Sequence, residues 1–591
     1  MRLARTCGLR VASPLVRLAL AVRPPASPVP ARSTDGATTL VEAIADLAAR
    51  FPDFCCLTFV DRDGAEDHVT LAALWQRARA VEAVLRARDL ERGRPVLLAL
   101  PTSLDLVAAY VGTMLAGGIP GLVATPSNRV ADEGVYAARV GAILGNARAQ
   151  ILYAAPDIAA IVRAAGPGVL AGAAIVTPSE LGAASSAAPP ALGPDDVATV
   201  QYSSGSTGTP KGILLTHRAM LDNIRAVRDG LGLVPADVSV NWIPLYHDMG
   251  LIDAFLLPLL TGCPTVLIPT MDFMRDPALW LWAMHRYRGA ISWAPNFAYT
   301  LCTHRVPEED LAGLDLSSWR IAINAAEPVL ARTIDAFTRR FAAYGFRPEA
   351  MTPAWGLAEN VTIATAHPVA SAPRVEHVDR EALATRGIAR PGDAQGIASV
   401  AIGRCLPRSE IEIRDAHGAR VPDRQVGTIW LRTRSLFLGY HGDEARTREI
   451  LVDGWLDTGD QGYVDGPDLF FVSRDKDLIV IGGEKYAPHD VETAINQVTG
   501  VRQGCAVAFG VLNEERGTEE LAAIVETRVD GEAARAALER AIRAEVLRAI
   551  GIALRHVVLV PPGGVEKTTS GKLARRASRR RWAERLPEAH A

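Results

Sequence analysis

Short apolar runs alternate with segments of helical spacing through the first 155 residues of this chain. The predicted strands are 95–100, 118–124 and 151–154, and each is apolar almost throughout, as strands buried on both faces are. The predicted helices are 40–50, 71–90, 104–116 and 135–147, where apolar residues recur every three or four positions. Strands that alternate with helices in this way predict a parallel sheet covered on both faces.

The pattern changes twice further along the chain. Residues 402–472 contain short alternating runs with Gly and Asp turns, which predict antiparallel β structure, whereas 366–396 have no clear periodicity. A charged break at 474–477 then precedes a last stretch of strands and helices. The predicted class is α/β: a large N-terminal domain of parallel-rich sheets with a β subdomain, then a small mobile α+β domain. We place a tail at 1–36, the large domain at 37–474 and the small domain at 475–591.

The N-terminal tail has an unusual composition. Its first 34 residues contain six arginines, several prolines and no acidic residue. A mitochondrial transit peptide has this composition, and a disordered tail or an over-long gene start explains it as well. We favour the latter two explanations, because the whole chain is rich in arginine and alanine. We therefore expect a cytoplasmic protein, or a mitochondrial one if the segment is a transit peptide.

Composition excludes several classes of function. The 591 residues carry a formal net charge of −3, so no overall basic field suggests nucleic acid as a partner. Seven cysteines are scattered without a CxxC pair, which argues against a disulfide framework or a structural zinc site. No segment reaches the roughly 18 uninterrupted apolar residues of a membrane span.

A Gly, Ser and Thr-rich loop at 202–212 lies between two apolar runs and carries one lysine, Lys211. Backbone N–H groups and hydroxyls in such a loop can turn inward and form an anion site, to which the lysine adds a charge for phosphate. A polar hairpin turn is the alternative, although hairpin turns seldom need eleven residues. The loop is not the usual nucleotide P-loop, because Pro210 precedes Lys211 and Gly212 follows it.

Phosphate chemistry requires cations, usually with Mg²⁺, and a few carboxylates. Lys211 and Lys572 are the candidate cations, and Glu359 and Asp460 are isolated carboxylates after strand-like runs. Two of them also have a structural explanation: Lys572 is compatible with an exposed tail, and Asp460 with a turn. His247, in a loop, is by itself more typical of a structural histidine.

The order of these segments along the chain resembles the adenylate-forming enzyme superfamily, which includes acyl-CoA synthetases, luciferases and peptide-synthetase adenylation domains. The resemblance covers about residues 40–580. The matching segments are the 202–212 loop, 246–248, 324–328, 355–359, 457–460, 473–477 and 569–572.

Within that superfamily the chain is most similar to the fatty acyl-AMP ligases, on the stretches 242–251, 292–302, 315–320 and 378–383. The resemblance implies that ATP activates a medium- to long-chain fatty acid to an acyl-adenylate, with release of pyrophosphate. The acyl group would then pass to the phosphopantetheine thiol of an acyl carrier protein. A fatty acyl-CoA synthetase is the alternative, and a non-catalytic acyl or nucleotide sensor is a further one, against which the retained charged residues argue.

The resemblance also implies a role for each matching residue. The ATP phosphates would be bound by Ser203, Ser204, Gly205, Ser206, Thr207, Gly208, Thr209 and Lys211. The nucleoside would be bound by Asn324, Ala325, Ala326, Glu327, Trp355, Gly356, Asp460 and Arg474. Glu359 and Thr207 would bind Mg²⁺, and Lys476 would be the hinge of the small domain. Lys572 would be the main catalytic residue, assisted by Lys211 and by His247 near the acyl carboxylate.

Three positions depart from the superfamily pattern. Trp355 stands in place of a tyrosine, Ala325 in place of a glycine, and Ser473 in place of a glycine. A tryptophan can still stack on adenine, whereas Ala325 is expected to crowd the nucleotide slightly. Because no charged group of the chemistry is missing, the resemblance predicts an active enzyme.

Three further expectations concern the surroundings of the site. The segment 366–396 matches in place and approximate length an insertion that is thought to restrict domain rotation in the fatty acyl-AMP ligases. Phe297, Ala298, Leu301 and the run 251–259 are candidates for an acyl tunnel, although core packing explains them equally well. The arginines at 575, 576 and 579–581 are either a solvated helix face or a dock for an acidic carrier protein.

Overall fold

The computed structural model describes residues 32–126, 133–203, 211–481, 484–513, 518–568 and 571–586. Residues 1–31 of the predicted tail therefore lie outside the described residues. Farther along the tail, the Thr34 hydroxyl donates to the Leu260 carbonyl and Asp35 pairs with Arg228 at 2.5 Å. The described end of the tail thus contacts the large part of the chain.

A nine-stranded sheet forms the centre of the large part. Its strands, in spatial order, are Arg404–Cys405, Ile363–Ala366, Met351–Gly356, Ile321–Asn324, Ile291–Ala294, Ser239–Asn241, Thr265–Leu267, Cys55–Val60 and Glu66–Thr70. The six strands from Met351–Gly356 to Cys55–Val60 run parallel, and the others pair antiparallel. The carboxyl ends of four adjacent parallel strands therefore meet at one edge, where open α/β sheets bind ligands.

A second parallel sheet confirms the strands expected near the N-terminus. Its order is Ile119–Leu122, Pro95–Ala99, Ile151–Ala154 and Ala174–Val176, all parallel. The last of these strands lies in a segment with no sequence signal strong enough to predict it. The helices that flank the sheets are Leu40–Arg50, Leu71–Ala87, Leu104–Leu115, Glu133–Ala147, Pro156–Ala164, Pro167–Leu170, His217–Leu231, Leu257–Thr261, Thr270–Arg275, Ala278–Arg286, Asn296–Arg305 and Ala331–Phe341.

The helix boundaries follow from local chemistry. Side-chain oxygens cap the first turns of several helices by accepting a backbone N–H, namely those of Thr39, Thr70, Ser103 and Thr216. Gly232 ends its helix in the left-handed conformation that glycine adopts without strain. The helix Leu40–Arg50 matches the sequence prediction, whereas Leu71–Ala87 ends three residues earlier than expected.

Antiparallel sheets complete the large part, as the alternating runs predicted. One contains Ser409–Arg414, Gly427–Thr433, Trp455–Asp465, Leu451–Val452 and Asp468–Arg474, and another contains Gly439–Tyr440, Lys211–Thr216 and Val197–Ser203. In sequence, the helix Glu444–Ile450 lies between strand Gly439–Tyr440 of the second sheet and strand Leu451–Val452 of the first. The segment 366–396 is more regular than its sequence suggested: Val375–Val378 pairs with Ile397–Val400, and the helix Arg380–Arg386 starts at the capping residue Asp379.

The C-terminal residues have cores of their own. The sheet Val501–Asn513, Thr518–Thr527 and Leu554–Val560 packs one face against the helices Pro488–Ile495 and Glu532–Ile550, and the hairpin Ile479–Ile481 and Glu484–Tyr486 precedes it. Its other face packs near the helix Arg575–Arg581 and Leu586. Among the described residues, neither cluster includes a buried residue before Ile479, which is consistent with the division near 474, and that division stays a prediction.

None of the described helices is long and apolar enough to cross a membrane.

Candidate functional site

The turn after strand Ser239–Asn241 carries His247 and Asp248 at the carboxyl edge of the large sheet. His247 Nδ1 lies 2.5 Å from Asp248 Oδ1, which also accepts the Met249 backbone N–H at 2.7 Å. Burial raises the pKa of Asp248, but the charge and hydrogen bond of His247, with Lys572 farther away, outweigh it and lower the pKa to about 2. Asp248 is therefore a carboxylate that attracts cations to this edge.

Lys572 lies on a tight turn that reaches the same edge. The Lys572 backbone N–H donates to Thr568 Oγ1 at 3.1 Å, and the Thr568 N–H donates to the Lys572 carbonyl at 2.7 Å. Gly571 has φ +92°, and a Cβ at this position would lie 3.2 Å from the Phe297 ring. Glycine therefore permits both the turn and its close approach to Phe297.

Three carboxylates and one guanidinium act electrostatically on Lys572. Burial lowers the pKa of the lysine, and Asp248, Glu327 and Asp460 oppose this effect, while Arg474 adds to it. The structure thus brings Lys572 together with four residues that are distant in sequence. This arrangement agrees with the role expected for Lys572, which itself stays a prediction.

The turn after strand Ile321–Asn324 carries Glu327. Its Oε1 accepts the Phe297 backbone N–H at 2.5 Å, and burial raises the pKa of the carboxyl group. Ala326 has φ +71°, a left-handed conformation that costs an alanine roughly 1–2 kcal/mol. The strain therefore falls on Ala326, next to the Ala325 that was expected to crowd a nucleotide.

The Asn324 side chain is fully buried at the end of the same strand. Its Nδ2 donates to Asn296 Oδ1 at 3.4 Å, while its Oδ1 has no hydrogen-bond partner among the described residues. The free oxygen is an acceptor available to a bound ligand.

Trp355 and Asp460 are joined directly. The Trp355 indole N–H donates to Asp460 Oδ2 at 2.9 Å, and Arg474 Nε lies 3.4 Å from Asp460 Oδ1, because the two residues face each other across paired strands. Burial raises the pKa of Asp460, against the opposing effect of Arg474. The sequence suggested only ring stacking for Trp355, so its contact with Asp460 is new. Gly356 follows Trp355, and a Cβ on it would lie 2.2 Å from the Thr362 carbonyl oxygen.

Tyr440 links Lys211 and Glu359. The Tyr440 hydroxyl donates to Glu359 Oε1 at 2.6 Å, and Lys211 Nζ lies 5.1 Å from the centre of the Tyr440 ring. Strand Gly439–Tyr440 pairs with strand Lys211–Thr216, which places the tyrosine beside the lysine. Sequence reasoning missed Tyr440, because 81 positions separate it from Glu359.

Part of the predicted phosphate loop lies outside the described residues. The predicted phosphate-binding groups outside the described part are the Ser203 side chain and Ser204, Gly205, Ser206, Thr207, Gly208 and Thr209. They stay predictions, as does Thr207 as a metal ligand. The apolar runs on both sides of the loop are the strands Val197–Ser203 and Lys211–Thr216, and they pair antiparallel.

The Glu359 surroundings fit a magnesium ion bound mainly through ATP. No group of three or more His, Cys, Asp or Glu residues that could enclose a metal occurs in the part of the chain that the structure describes. Mg²⁺ in nucleotide sites is typically bound by one or two carboxylates plus substrate phosphates. A single oriented carboxylate beside a lysine suits such a site.

Lys476 occupies the single turn Asp475–Asp477 at the predicted domain boundary. Desolvation and the Arg474 charge lower its pKa, Asp477 opposes them, and the Arg576 and Lys211 charges lower it further. Lys476 therefore lies at the boundary between the two parts of the chain, within the electrostatic reach of Lys211. Its role as a hinge stays a prediction.

The basic run at 575–581 divides into internal and exposed arginines. Arg575 Nε and Nη2 each donate to the Glu492 carboxylate at 2.7 Å, and its Nη1 pairs with Asp477 at 3.2 Å. Arg579 donates to the Gly510 carbonyl, and Arg581 pairs with Glu566. Arg576, Arg580 and Arg581 are exposed, and Arg581 is the one of the three that pairs with Glu566, so Arg576 and Arg580 are the better placed to attract a partner.

Comparisons with known proteins show the family to which this chain is related. A family model described as AMP-binding enzyme matches residues 44–441. A Caulobacter vibrioides protein, provisionally named an acyl-CoA synthetase, is 34% identical over 510 residues, which cover 84% of this chain and 87% of its own. The long-chain-fatty-acid–AMP ligase FadD26 of Mycobacterium marinum is 32% identical over 565 residues, 90% of this chain and 95% of its own. A solved structure from work on fatty acyl-adenylate ligases of E. coli and L. pneumophila gives a TM-score of 0.87 at 34% identity, covering 94% of this chain and 99% of the other.

Proposed function

Because this chain belongs to the AMP-binding enzyme family, we propose that it is a fatty acyl-AMP ligase, which uses ATP to activate a fatty acid as an acyl-adenylate. The observation that carries the proposal is the position of Lys572, which follows the close approach of Gly571 to Phe297 and lies within the electrostatic reach of Asp248, Glu327 and Asp460. A lysine in this place is suited to bind a carboxylate and a phosphate together. The similarity to a named fatty-acid–AMP ligase over nearly the whole chain supports the fatty acid as substrate.

In the first half-reaction an oxygen of the fatty-acid carboxylate attacks the α-phosphorus of ATP. The bond from that phosphorus to the β-phosphate bridging oxygen breaks, so pyrophosphate leaves and acyl-adenylate forms. Lys572 would offset the negative charge on the α-phosphate and orient the carboxylate, and Lys211 would bind the leaving phosphates. Mg²⁺ bound by Glu359 and the ATP phosphates would supply further charge neutralisation.

The nucleoside would occupy the pocket between Asn324 and Asp460. The buried free oxygen of Asn324 can accept a hydrogen bond from the adenine amino group. Asp460, oriented by Trp355 and Arg474, can accept hydrogen bonds from the ribose hydroxyls. Trp355 would therefore act through Asp460 as well as by contact with the base.

For the second half-reaction we propose transfer to the phosphopantetheine thiol of an acyl carrier protein. The thiol sulfur attacks the acyl carbonyl, AMP leaves, and the thiol proton passes to solvent. The helix Arg380–Arg386 packs beside the strand Glu484–Tyr486, around a cavity of about 300 Å³. This contact between the inserted segment and the C-terminal part supports restricted rotation, which favours the carrier protein over CoA.

One experiment separates the two acceptors. The purified protein receives ATP, Mg²⁺ and a fatty acid, with either CoA or a pantetheinylated carrier protein, and products are identified by mass. Acyl-carrier protein is the expected main product. Acyl-CoA as the main product would favour the synthetase alternative, and absence of fatty-acid-dependent ATP–pyrophosphate exchange would reject adenylation itself.

A further inference from the structure

One side chain of the large part donates a hydrogen bond directly to the C-terminal part. Arg332 is the second residue of the helix Ala331–Phe341, and its Nη1 donates to the Thr493 carbonyl oxygen at 3.0 Å. Thr493 lies in the last turn of the helix Pro488–Ile495. Neither residue takes part in the proposed mechanism.

The Thr493 carbonyl is the point at which this helix end accepts a donor from the large part. The carbonyls on either side of it, those of Glu492 and Ala494, accept backbone N–H groups of residues that follow the helix, at 3.0 and 3.1 Å. The last carbonyls of a helix lack partners within the helix and carry partial negative charge, so a cation at this end is favourable. Arg332 therefore caps a helix that belongs to the other part of the chain.

The packing of the Arg332 helix does not depend on Arg332 itself. The residue is exposed, and no carboxylate pairs with it among the described residues. The helix packs through other side chains, and its buried residues are Thr333, Ile334, Phe337 and Phe341. Loss of the guanidinium would therefore remove the bond to the C-terminal part and leave the core beneath the helix unchanged.

On the side of the large part, the start of this helix is fixed to the proposed nucleotide pocket. The Leu330 N–H donates to Asn296 Oδ1 at 3.2 Å, and Asn296 Nδ2 donates to Thr333 Oγ1 at 3.2 Å. The same Asn296 oxygen accepts Asn324 Nδ2 at 3.4 Å. The residues that place Arg332 therefore also contact Asn324.

On the C-terminal side, the capped helix is fixed to the segment that carries Lys572. Glu492, next to Thr493 in that helix, accepts two hydrogen bonds from the Arg575 guanidinium, each at 2.7 Å. Arg575 follows Lys572 by three residues. Because a bidentate pair of guanidinium and carboxylate has a defined geometry, the position of the capped helix constrains the position of Lys572.

These contacts form a continuous connection from Asn324 to Lys572, and Arg332 is a link in it between the two parts of the chain. We propose that Arg332 is a positioning residue for acyl-adenylate formation: its bond to the Thr493 carbonyl holds the C-terminal part where Lys572 reaches the reacting groups. This inference rests on the proposed function. The proposed transfer step makes no use of Lys572, so it does not require the bond.

The test measures the two half-reactions of full-length variants separately. Arg332→Met keeps the length of the side chain and removes its donors, so the kcat of fatty-acid-dependent ATP–pyrophosphate exchange is expected to fall about tenfold, as for the loss of one hydrogen bond from a charged group. The KM for ATP should change little, because the nucleotide residues stay in place on the large part. Transfer from preformed acyl-adenylate to a pantetheinylated carrier protein should keep at least the wild-type rate.

Two further variants separate positioning from a purely structural role. Arg332→Lys retains a charged donor and is expected to recover most of the lost exchange. Arg339→Met, at an exposed arginine of the same helix that pairs with Asp335, is the matched control and should leave both half-reactions at wild-type rates.

Two results for Arg332→Met would overturn the inference and leave the proposed function intact. One is exchange at the wild-type rate, and the other is an equal slowing of both half-reactions, which a general loss of structure would produce. Absence of exchange in the wild type with every fatty acid offered would reject the proposed function, and this inference with it.

Discussion

At the level of single residues, the site depends on side chains that orient other side chains. Tyr440 bonds Glu359, Trp355 bonds Asp460, and His247 pairs with Asp248. Glu359, Asp460 and Asp248 are thus each held in position by a neighbouring side chain. Mutation of a group that orients a metal ligand typically lowers metal affinity or activity by about 10- to 100-fold.

Lys572→Ala is expected to lower acyl-adenylate formation by roughly two or more orders of magnitude, because it removes the cation that meets the charge of the reacting groups. The measurement is fatty-acid-dependent ATP–pyrophosphate exchange. The matched control is Lys485→Ala, at an exposed lysine of the same part of the chain. Near wild-type exchange in Lys572→Ala would remove the assignment of this residue.

Asp248→Asn is expected to shift the alkaline limb of the kcat/KM profile to lower pH. Burial lowers the pKa of Lys572, and the Asp248 charge opposes that effect, so its removal lowers the pKa further. Lys572 acts as a cation, and activity is lost as pH rises through its pKa. The kcat/KM of ATP–pyrophosphate exchange is measured as a function of pH, because kcat/KM reports the pKa values of the free enzyme.

The control for the pH profile is Asp335→Asn, at an exposed carboxylate paired with Arg339. This variant should leave the alkaline limb in its place. An unshifted limb in Asp248→Asn would show that Lys572 does not determine it.

Tyr440→Phe is expected to raise the Mg²⁺ concentration for half-maximal exchange by about tenfold, because the Glu359 carboxylate loses the donor that orients it. The aromatic ring whose centre lies 5.1 Å from Lys211 Nζ remains in this variant. Tyr440→Leu removes the ring as well and should additionally weaken ATP binding. An unchanged Mg²⁺ requirement in Tyr440→Phe would contradict the assignment of Glu359 as a Mg²⁺ ligand.

At the level of elements, the helix Arg380–Arg386 has the most specific consequence. It begins at the capping residue Asp379, and its Leu383 faces the cavity shared with Tyr486 and Ala487. The sequence of 366–396 showed no clear periodicity because a single two-turn helix and a four-residue strand are too short to establish one. The contact itself joins segments about 100 positions apart, which no local pattern encodes.

Leu383→Asp is expected to loosen this contact and to raise the ratio of acyl-CoA to acyl-carrier protein by about threefold or more, because a charge in place of a half-buried apolar side chain disfavours the packed arrangement. Product masses with both acceptors present give the ratio. Glu381→Gln, on the exposed side of the same helix, is the control and should leave the ratio unchanged. A wild-type ratio in Leu383→Asp would contradict the role of the inserted segment.

At the level of the whole molecule, the large sheet explains why the site forms where it does. The strands Ser239–Asn241, Ile291–Ala294, Ile321–Asn324 and Met351–Gly356 are adjacent and parallel, so their carboxyl ends bring His247, Phe297, Glu327 and Glu359 to one edge. The C-terminal part then places Lys572 over this edge. A change in the position of that part would remove Lys572 and leave the nucleotide residues of the sheet in place.

Charge reversal at Arg576 and Arg580 together is expected to slow acylation of an acidic carrier protein several-fold at low salt and less at high salt. Exposed charges affect association mainly through long-range attraction, which salt screens. The rate of carrier acylation at several ionic strengths is the measurement, and adenylate formation is the internal control. Unchanged rates and unchanged salt dependence would exclude this surface as the dock.

Several features of the fold and of the site were predictable because they are local. The helix Leu40–Arg50, the strand Pro95–Ala99 and the turn that contains Gly571 follow from residues within a few positions of one another. The order of the motifs identified the family before any contact was known. The chemical groups of the site could therefore be identified from the order of the sequence motifs.

The sequence by itself determined the secondary-structure elements, the fold class and the set of candidate residues, since periodicity, capping and turn chemistry act over short stretches. Only the tertiary structure decided which of those residues meet. The Tyr440 bond to Glu359, the internal ion pairs of Arg575 and the Arg332 bond to the Thr493 carbonyl depend on which elements become neighbours. Burial and charge at each group are properties of that arrangement, because they are set by residues far away in the chain.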